Sequence, residues 1–344
     1  MRERLGSGWS AAVALERWHA VVGSDQTSFS GRKVLVTGSN GFVGGYLVPL
    51  LRGLGAVVVG VGLQETDISG CQEYYRTNLE VSDATRQFIQ KVSPDFAIHL
   101  AGQSSVGSSW TSEWQTISAN VASSVNLLNA LSRTGPTRVL FISSGEVYGH
   151  IKRPARVEDT LAPCNPYAIS KALVEMTVRP YDGSELQIVT ARAFNHTGPG
   201  RPPTFFEAYV IHELAVVARA GVSKTILCTG NVDVIRDYSD VRDVVMQYLL
   251  LLSTGNAGGV YNVCSGRGWL LRDIIALVGE IAQIDVDIDV DPARLRPNDV
   301  AYLVGCSSLP SFGPRIPFET TLREMYDAEM ESLGSGETRS LWTA

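Results

Sequence analysis

From Lys33 onward the chain alternates between short apolar runs and amphipathic stretches. Apolar runs of strand length fall at residues 33–37, 56–61, 95–100, 138–143 and 187–192, and helical periodicity marks 44–53, 83–92, 120–132 and 167–179 between them. Apolar strands joined by helical crossovers predict an α/β fold, a Rossmann-like doubly wound parallel sheet covered on both faces. Past Asn195 the texture changes to a Gly/Pro-rich loop at 197–203, a helical segment, the apolar run 234–245 and a strand at 260–263. The pattern therefore predicts a dinucleotide-binding unit over 31–195, rejoined by 234–264. A smaller C-terminal α/β substrate domain is expected from 196–233 and 265–330, with a tail at 331–344.

Residues 1–30 read as an N-terminal extension outside this unit. Positions 11–22 have the pattern of a short amphipathic helix, and Glu16 and Arg17 interrupt the apolar run that a signal peptide needs. The expectation is a poorly ordered extension or, alternatively, a docking segment.

Composition narrows the class. With 344 residues, 44% apolar and 19% charged, the chain has ample material for a core. A net charge of −6 offers no footprint for nucleic acid or an anionic membrane, and no apolar run approaches the roughly 20 residues of a membrane span. Five cysteines (Cys71, Cys164, Cys228, Cys264, Cys306) form no CxxC, which points to reduced thiols and a cytoplasmic location. No metal site is expected.

The candidate chemistry begins at Thr37-Gly38-Ser39-Asn40-Gly41-Phe42-Val43-Gly44, between the first strand and its helix. Gly38 allows a tight turn, Gly41 lets backbone approach a pyrophosphate and Gly44 lets the helix pack against the strand, with free N–H groups facing an anion. An ordinary strand-to-helix turn uses similar glycines, but the position inside a βαβ unit favours a dinucleotide cradle. Downstream, Tyr167-Ala-Ile-Ser-Lys171 puts a phenol and an ammonium on one helical face, where the cation can stabilise a phenolate. A free tyrosine titrates at about 10, too high for easy proton exchange at neutrality. A lysine neighbour lowers it. Asn120, ahead of an apolar helical run, reads as a helix cap.

In order and spacing, Thr37-Gly38-x-x-Gly41-x-x-Gly44, His99-Leu100-Ala101-Gly102, Ser143-Ser144-Gly145-Glu146-Val147-Tyr148-Gly149, Tyr167-x-x-x-Lys171 and Arg192-Ala-Phe-Asn195 resemble the extended short-chain dehydrogenase/reductase family, over residues 31–330. Within it, the segments around Asn195-His196, Arg236-Asp237-Tyr238 and Leu295-Arg296-Pro297 are most similar to reductases of GDP-4-dehydro-6-deoxy-D-mannose. GDP-mannose 4,6-dehydratases are less similar, carrying Gln-Asp where this chain has Phe42-Val43.

The resemblance implies an NAD(P)H-dependent enzyme. Cofactor contacts would come from Gly38, Asn40, Gly41, Phe42, Val43, Asn78, Leu79, Leu100, Ala101, Tyr167, Lys171 and Ala193. Catalysis would fall to Ser144, Glu146, Tyr167 and Lys171, with the phenol protonating an alkoxide formed at C4 of the sugar. Ser104, Asn195, Arg201, Arg236 and Arg296 would hold a nucleotide-diphosphate sugar, GDP-linked by preference, since planar guanidinium groups bind phosphate bidentately. A homodimer is implied through the helix pair bearing Val121, Val125, Leu128, Val174 and Met176.

Two choices stay open at this level. Glu146 is the base at C5 in the family's dehydratases, often with an acidic neighbour, but here the neighbour is Gly145 and similar reductases keep the glutamate. A dehydratase or epimerase therefore remains an alternative, as does a non-catalytic NAD(P)-binding regulatory subunit. NAD and NADP are not separated either: Leu63 stands where an arginine would take a 2′-phosphate, and Gln64, Glu65 or Asp67 are candidate ribose partners.

Overall fold

The computed structural model describes residues 9–22, 29–181, 185–309, 312 and 316–335. In chain order the first body comprises α1 (Ala11–Val22), β1 (Lys33–Thr37), α2 (Phe42–Gly53), β2 (Val57–Gly62), β3 (Glu73–Arg76), α3 (Ser82–Val92) and β4 (Phe96–His99). It continues with the single-turn α4 (Val106–Ser109), α5 (Glu113–Leu131), β5 (Thr137–Ser144), α6 (Pro166–Val178) and β6 (Leu186–Ala193). Then follow β7 (Asn195–Thr197), α7 (Phe206–Arg219), β8 (Lys224–Thr229), β9 (Ile235–Asp240), α8 (Val241–Thr254) and β10 (Val260–Val263). The chain closes with β11 (Gly268–Leu270), α9 (Leu271–Ala282), β12 (Asp285–Val290), β13 (Tyr302–Leu303) and α10 (Phe318–Ser335).

Among the described residues seven strands form one sheet in the order β10-β6-β5-β4-β1-β2-β3, all parallel. The order reverses between β1 and β4, which opens a crevice at their carboxyl ends. Val34, Leu35 and Val36 of β1 are fully buried because helices cover both sheet faces. On one face α2 and α8 pack through Leu47, Leu50, Leu51, Val245 and Leu249. On the other, α3, α5 and α6 contribute Phe88, Ile89, Leu127, Leu131, Val174 and Val178. The expected doubly wound sheet is present.

Over 9–22 the extension forms the helix expected at 11–22, and it is packed on the first body where a poorly ordered segment was the first expectation. Ala11–Val22 forms α1 and docks on α2 and α8, burying Trp9, Ala14 and Trp18. Arg17 Nη2 adds an ion pair with the buried Asp243 at 3.1 Å. Its two tryptophans supply the burial that the short amphipathic pattern concealed.

A second core gathers α7, α9, α10 and the flanking strands around Val210, Leu214, Ile274, Val278 and Leu322. Here β9 pairs with β7, β11 and β13, and β8 pairs with β12. The segment expected to rejoin the first body at residue 234 therefore does so only from α8, since β9 stays in the small sheet. Helix starts also shift: α5 begins at Glu113, six residues before Ala119, so Asn120 lies inside the helix and caps nothing. No described helix is long and apolar enough to cross a membrane, and the five cysteines are free.

Candidate active site

A cleft of about 1010 Å³ runs along the carboxyl ends of the sheet and into the second body. At its floor Gly38 has φ +66°, and a Cβ there would stand 3.0 Å from the Ala101 amide nitrogen. A Cβ on Gly44 would lie 2.2 Å from the Ser39 carbonyl oxygen, so the turn's own backbone, more than the strand, demands glycine there. Gly41 caps α2 without a side-chain hydrogen bond, and Phe42, Val43 and Gly44 line the cleft with the unpaired amides of a first helical turn. That cradle fits a pyrophosphate.

Of the residues expected at the cofactor, Leu79, Leu100, Ala101, Asn78 and Ala193 line the same cleft with Gly38 and Gly41. Asn40 does not. Its Nδ2 donates to Thr66 O at 2.8 Å and its Oδ1 accepts from the Ile68 amide at 3.0 Å, so the side chain is spent on holding the loop after β2. In that loop Asp67 accepts from the amides of Ser69, Gly70 and Cys71, which removes it as a ribose partner. Glu65 pairs with Arg76 at 3.1 Å, while Gln64 lines the cleft.

α6 starts cleanly because Asn165 caps it, accepting from the Ala168 amide at 2.8 Å, with Pro166 in the first turn. The same asparagine donates from Nδ2 to Glu146 Oε2 at 3.0 Å. One side chain thus fixes both the helix start and the carboxylate. Tyr167 and Lys171 project from one face of α6, with the ammonium 5.9 Å from the ring centroid and donating to Ile142 O at 3.0 Å. Burial pushes the Tyr167 phenol up to about 12; its hydrogen bond with Ser144 and the Arg201 guanidinium act against this, and Glu146 adds to it. Burial alone brings Lys171 down to about 8. Arg201 thus joins Lys171 as a cation near Tyr167.

Behind the pair lies a buried polar chain. His99 meets Thr37 Oγ1 through Nδ1 at 2.8 Å and Ser124 Oγ through Nε2 at 3.1 Å, and Thr37 accepts from the Ala101 amide at 3.0 Å. Asn120 accepts from the Gln103 amide at 2.7 Å and donates to Ser170 Oγ at 2.8 Å. Ser170 in turn donates to Tyr167 O at 2.7 Å. The asparagine that reads as a cap in sequence therefore ties α5, α6 and the loop after β4 together. Burial, with Lys171 adding to it, lowers His99 to about 3, so it is neutral at ordinary pH.

The arginines differ in availability. Arg201 is clamped between Phe205, 3.4 Å from the ring centroid, and Phe42 at 4.9 Å, with its Nε 3.8 Å from the buried Glu207. Arg236 is held by Asp299 at 3.1 Å and donates to Ile235 O at 3.0 Å. Arg296 and Ser104 are exposed and line the cleft, whereas Asn195 donates to Asp237 O at 3.3 Å. His196 also lines the cleft, stacked on Phe42 at 6.5 Å, and burial with nearby Arg201 takes it down to about 4. Phe205, Glu207 and Arg294 line the site too, but no local motif marks them in the sequence.

Fold and site together define a dinucleotide-binding enzyme whose cleft brings Ser144, Tyr167 and Lys171 together. The chain belongs to the NAD dependent epimerase/dehydratase family, whose model matches residues 34–264. It is 36% identical over 270 residues to the GDP-6-deoxy-D-mannose reductase of Pseudomonas aeruginosa, covering 77% of this chain and 85% of that protein. The GDP-mannose 4,6-dehydratase of Vibrio cholerae is 28% identical, over 80% of this chain and 86% of its own. Among solved structures, RMD from Pseudomonas aeruginosa complexed with NADPH matches with a TM-score of 0.75 at 31% identity, over 87% of this chain and 99% of that one. The enzyme is NAD(P)-dependent, as the family and its cofactor-bound structures establish.

Proposed function

We propose that the enzyme reduces the C4 ketone of GDP-4-dehydro-6-deoxy-D-mannose to GDP-6-deoxy-mannose (GDP-rhamnose). One observation favours this reading over dehydration: the neighbour of Glu146 is Gly145, where a Cβ would lie 2.8 Å from the Phe194 ring, so a side chain there, an acidic one included, would require that ring to shift. Glu146 is instead anchored by Asn165, suited to hydrogen-bonding a sugar hydroxyl. The resemblance to a GDP-6-deoxy-D-mannose reductase supports the same choice.

Bound reduced nicotinamide supplies the hydride. Ser144 and Tyr167 would bracket the ketone oxygen, the serine hydroxyl donating a hydrogen bond and the phenol delivering the proton as the alkoxide forms. Lys171 would hold the nicotinamide ribose, and Arg201, Arg236 and Arg296, with Ser104 and Asn195, would receive the nucleotide-diphosphate sugar. Mixing the purified enzyme with that keto sugar and NADPH or NADH should consume reduced nicotinamide. No consumption, together with dehydration of GDP-mannose itself, would overturn the assignment.

A homodimer accompanies this reading. Leu128 and Val174, expected at the dimer face, are buried in the core of one chain, whereas Ile169, Leu173 and Met176 of α6 and Trp114 of α5 are exposed. These would form the paired surface. Light scattering at micromolar concentration should give twice 37.2 kDa, and a monomer alone would refute it.

A further inference from the structure

Gly62, Leu63 and Gln64 at the end of β2, with Thr77 and Asn78 after β3, form one part of the cleft lining. In a doubly wound sheet the adenosine ribose lies at the end of the second strand, where a carboxylate takes the 2′-hydroxyl of NAD and an arginine the 2′-phosphate of NADP. The carboxylates of this loop are committed. Leu63 follows the strand and is 63% exposed, Asp67 accepts from three loop amides, and Glu65 is paired with Arg76. What the loop carries beside the ribose position is a cation.

Arg76 is the last residue of β3, and in the parallel register its backbone stands beside Gly62, the last residue of β2. Its Nε donates to Leu63 O at 3.1 Å and its Nη1 to Glu65 Oε1 at 3.1 Å. The first bond holds the guanidinium against the residue that follows β2. The second joins side chains that are 62% and 83% exposed, and a pair so exposed contributes little. Tyr74 OH adds a bond to Gln64 O at 3.1 Å, so the loop is tied to β3 before any ligand arrives. A phosphate monoester carries up to two negative charges and accepts in parallel from a planar guanidinium, which makes it a stronger partner than a lone exposed carboxylate.

We propose that Arg76 is the residue that selects the cofactor: it takes the 2′-phosphate of the adenosine ribose in exchange for Glu65, and the enzyme therefore prefers NADP(H) to NAD(H). Nε stays on Leu63 O, leaving the two terminal nitrogens for the phosphate. The cation escapes a reading of the glycine signature because it comes from β3, 13 residues beyond Leu63, the position where an arginine is expected. The inference rests on dinucleotide binding and not on the identity of the sugar.

Titration calorimetry with 2′-phospho-ADP-ribose and with ADP-ribose tests it without the nicotinamide, at one ionic strength because salt screens an exposed phosphate contact. Wild type should bind the phosphorylated ligand more tightly by about tenfold or more, the usual contribution of hydrogen bonds to a charged group. Arg76→Leu should weaken that ligand about ten- to hundredfold, leave ADP-ribose within about twofold of wild type and melt as wild type does. Glu65→Gln frees the cation and removes a repelling charge, so it should tighten the phosphorylated ligand and leave ADP-ribose unchanged. Equal weakening of both ligands by Arg76→Leu would mean that the arginine only supports the loop through Leu63 O, and would overturn the proposal. Wild-type binding that ignores the phosphate, or an Arg76→Leu variant that still prefers it, would overturn it as well. Failure of the keto-sugar assay would leave this binding comparison untouched.

Discussion

The buried ion pair between Arg192 of β6 and Glu175 of α6 makes a prediction that joins stability to catalysis. Arg192 donates to the carboxylate from Nε at 3.0 Å and from Nη2 at 2.8 Å, and its Nη1 reaches Tyr148 OH at 2.8 Å and Val157 O at 2.9 Å. Ser143 donates to the same carboxylate. Both side chains are less than a tenth exposed. Glu175 lies one turn beyond Lys171 on the helix that bears Tyr167, so the pair staples that helix to the sheet. Arg192→Met leaves a buried carboxylate with the Ser143 hydroxyl alone, and breaking such a pair costs about 3–5 kcal/mol. At about 2.1 cal/mol/K per residue, a chain of this length has an unfolding entropy near 0.7 kcal/mol/K, so the melting temperature should fall by roughly 4–7 °C.

Turnover should drop more than substrate affinity, because the proton donor loses its register before the arginines do. The double variant Arg192→Met/Glu175→Leu removes both charges together and should recover much of the loss. Tyr148 would not be stranded there, since its hydroxyl also donates to Asn262 Oδ1 at 2.6 Å. Scanning calorimetry and steady-state kinetics on the three proteins provide the check. A single variant that melts within a degree of wild type, or a double variant no better than the single, would refute the reasoning.

Two further predictions concern titrating groups at the cleft. Tyr167→Phe should lower turnover by about 10²–10⁴, the usual contribution of a positioned acid, while leaving NAD(P)H affinity nearly unchanged; near-normal turnover would move the search for the acid to Glu146. The second follows from His99 and His196, lowered by burial to about 3 and about 4. In the unfolded chain both titrate at about 6.5, so the unfolded state binds more protons below that pH and stability must fall as pH drops from there through 4 and on to 3. Urea unfolding near pH 7 and about pH 4 should show a smaller loss for His196→Gln than for wild type, and identical losses would rule the mechanism out.

Much of the first body can be read from the sequence because its signals are local. Continuous apolar strands, a positive-φ glycine at Gly38 and an i, i+4 phenol and ammonium each need only a few neighbouring residues to be recognised. What escaped depended on distant partners. β3, Glu-Tyr-Tyr-Arg, is a half-exposed edge strand with no apolar run. α1 gains its place from tryptophans that meet α2 and α8. Asn120 mimics a cap because the turns of α5 before it, from Glu113 to Ser118, are exposed or half-buried apart from Thr116 and show no run of apolar core positions. Asn40 sits in the glycine signature, yet its side chain was claimed by a loop whose path the signature does not encode. Phe205 and Glu207 reach the cleft from an element whose placement is set by the second core, and no spacing rule connects them to Tyr167.

The late return of the chain to its first sheet has a consequence for synthesis on the ribosome. β6 pairs with β10, and α8 covers the sheet face against which Tyr248 and Leu249 are buried. Until residue 263 has left the exit tunnel, a nascent chain holds six of the seven strands with an open edge along β6 and an uncovered apolar face. Such an edge is a template for pairing with other chains. Only β7, α7, β8 and β9 of the second body precede α8, so its core, which needs α9 and α10, closes after the first sheet is complete, and the cleft between the two bodies forms last.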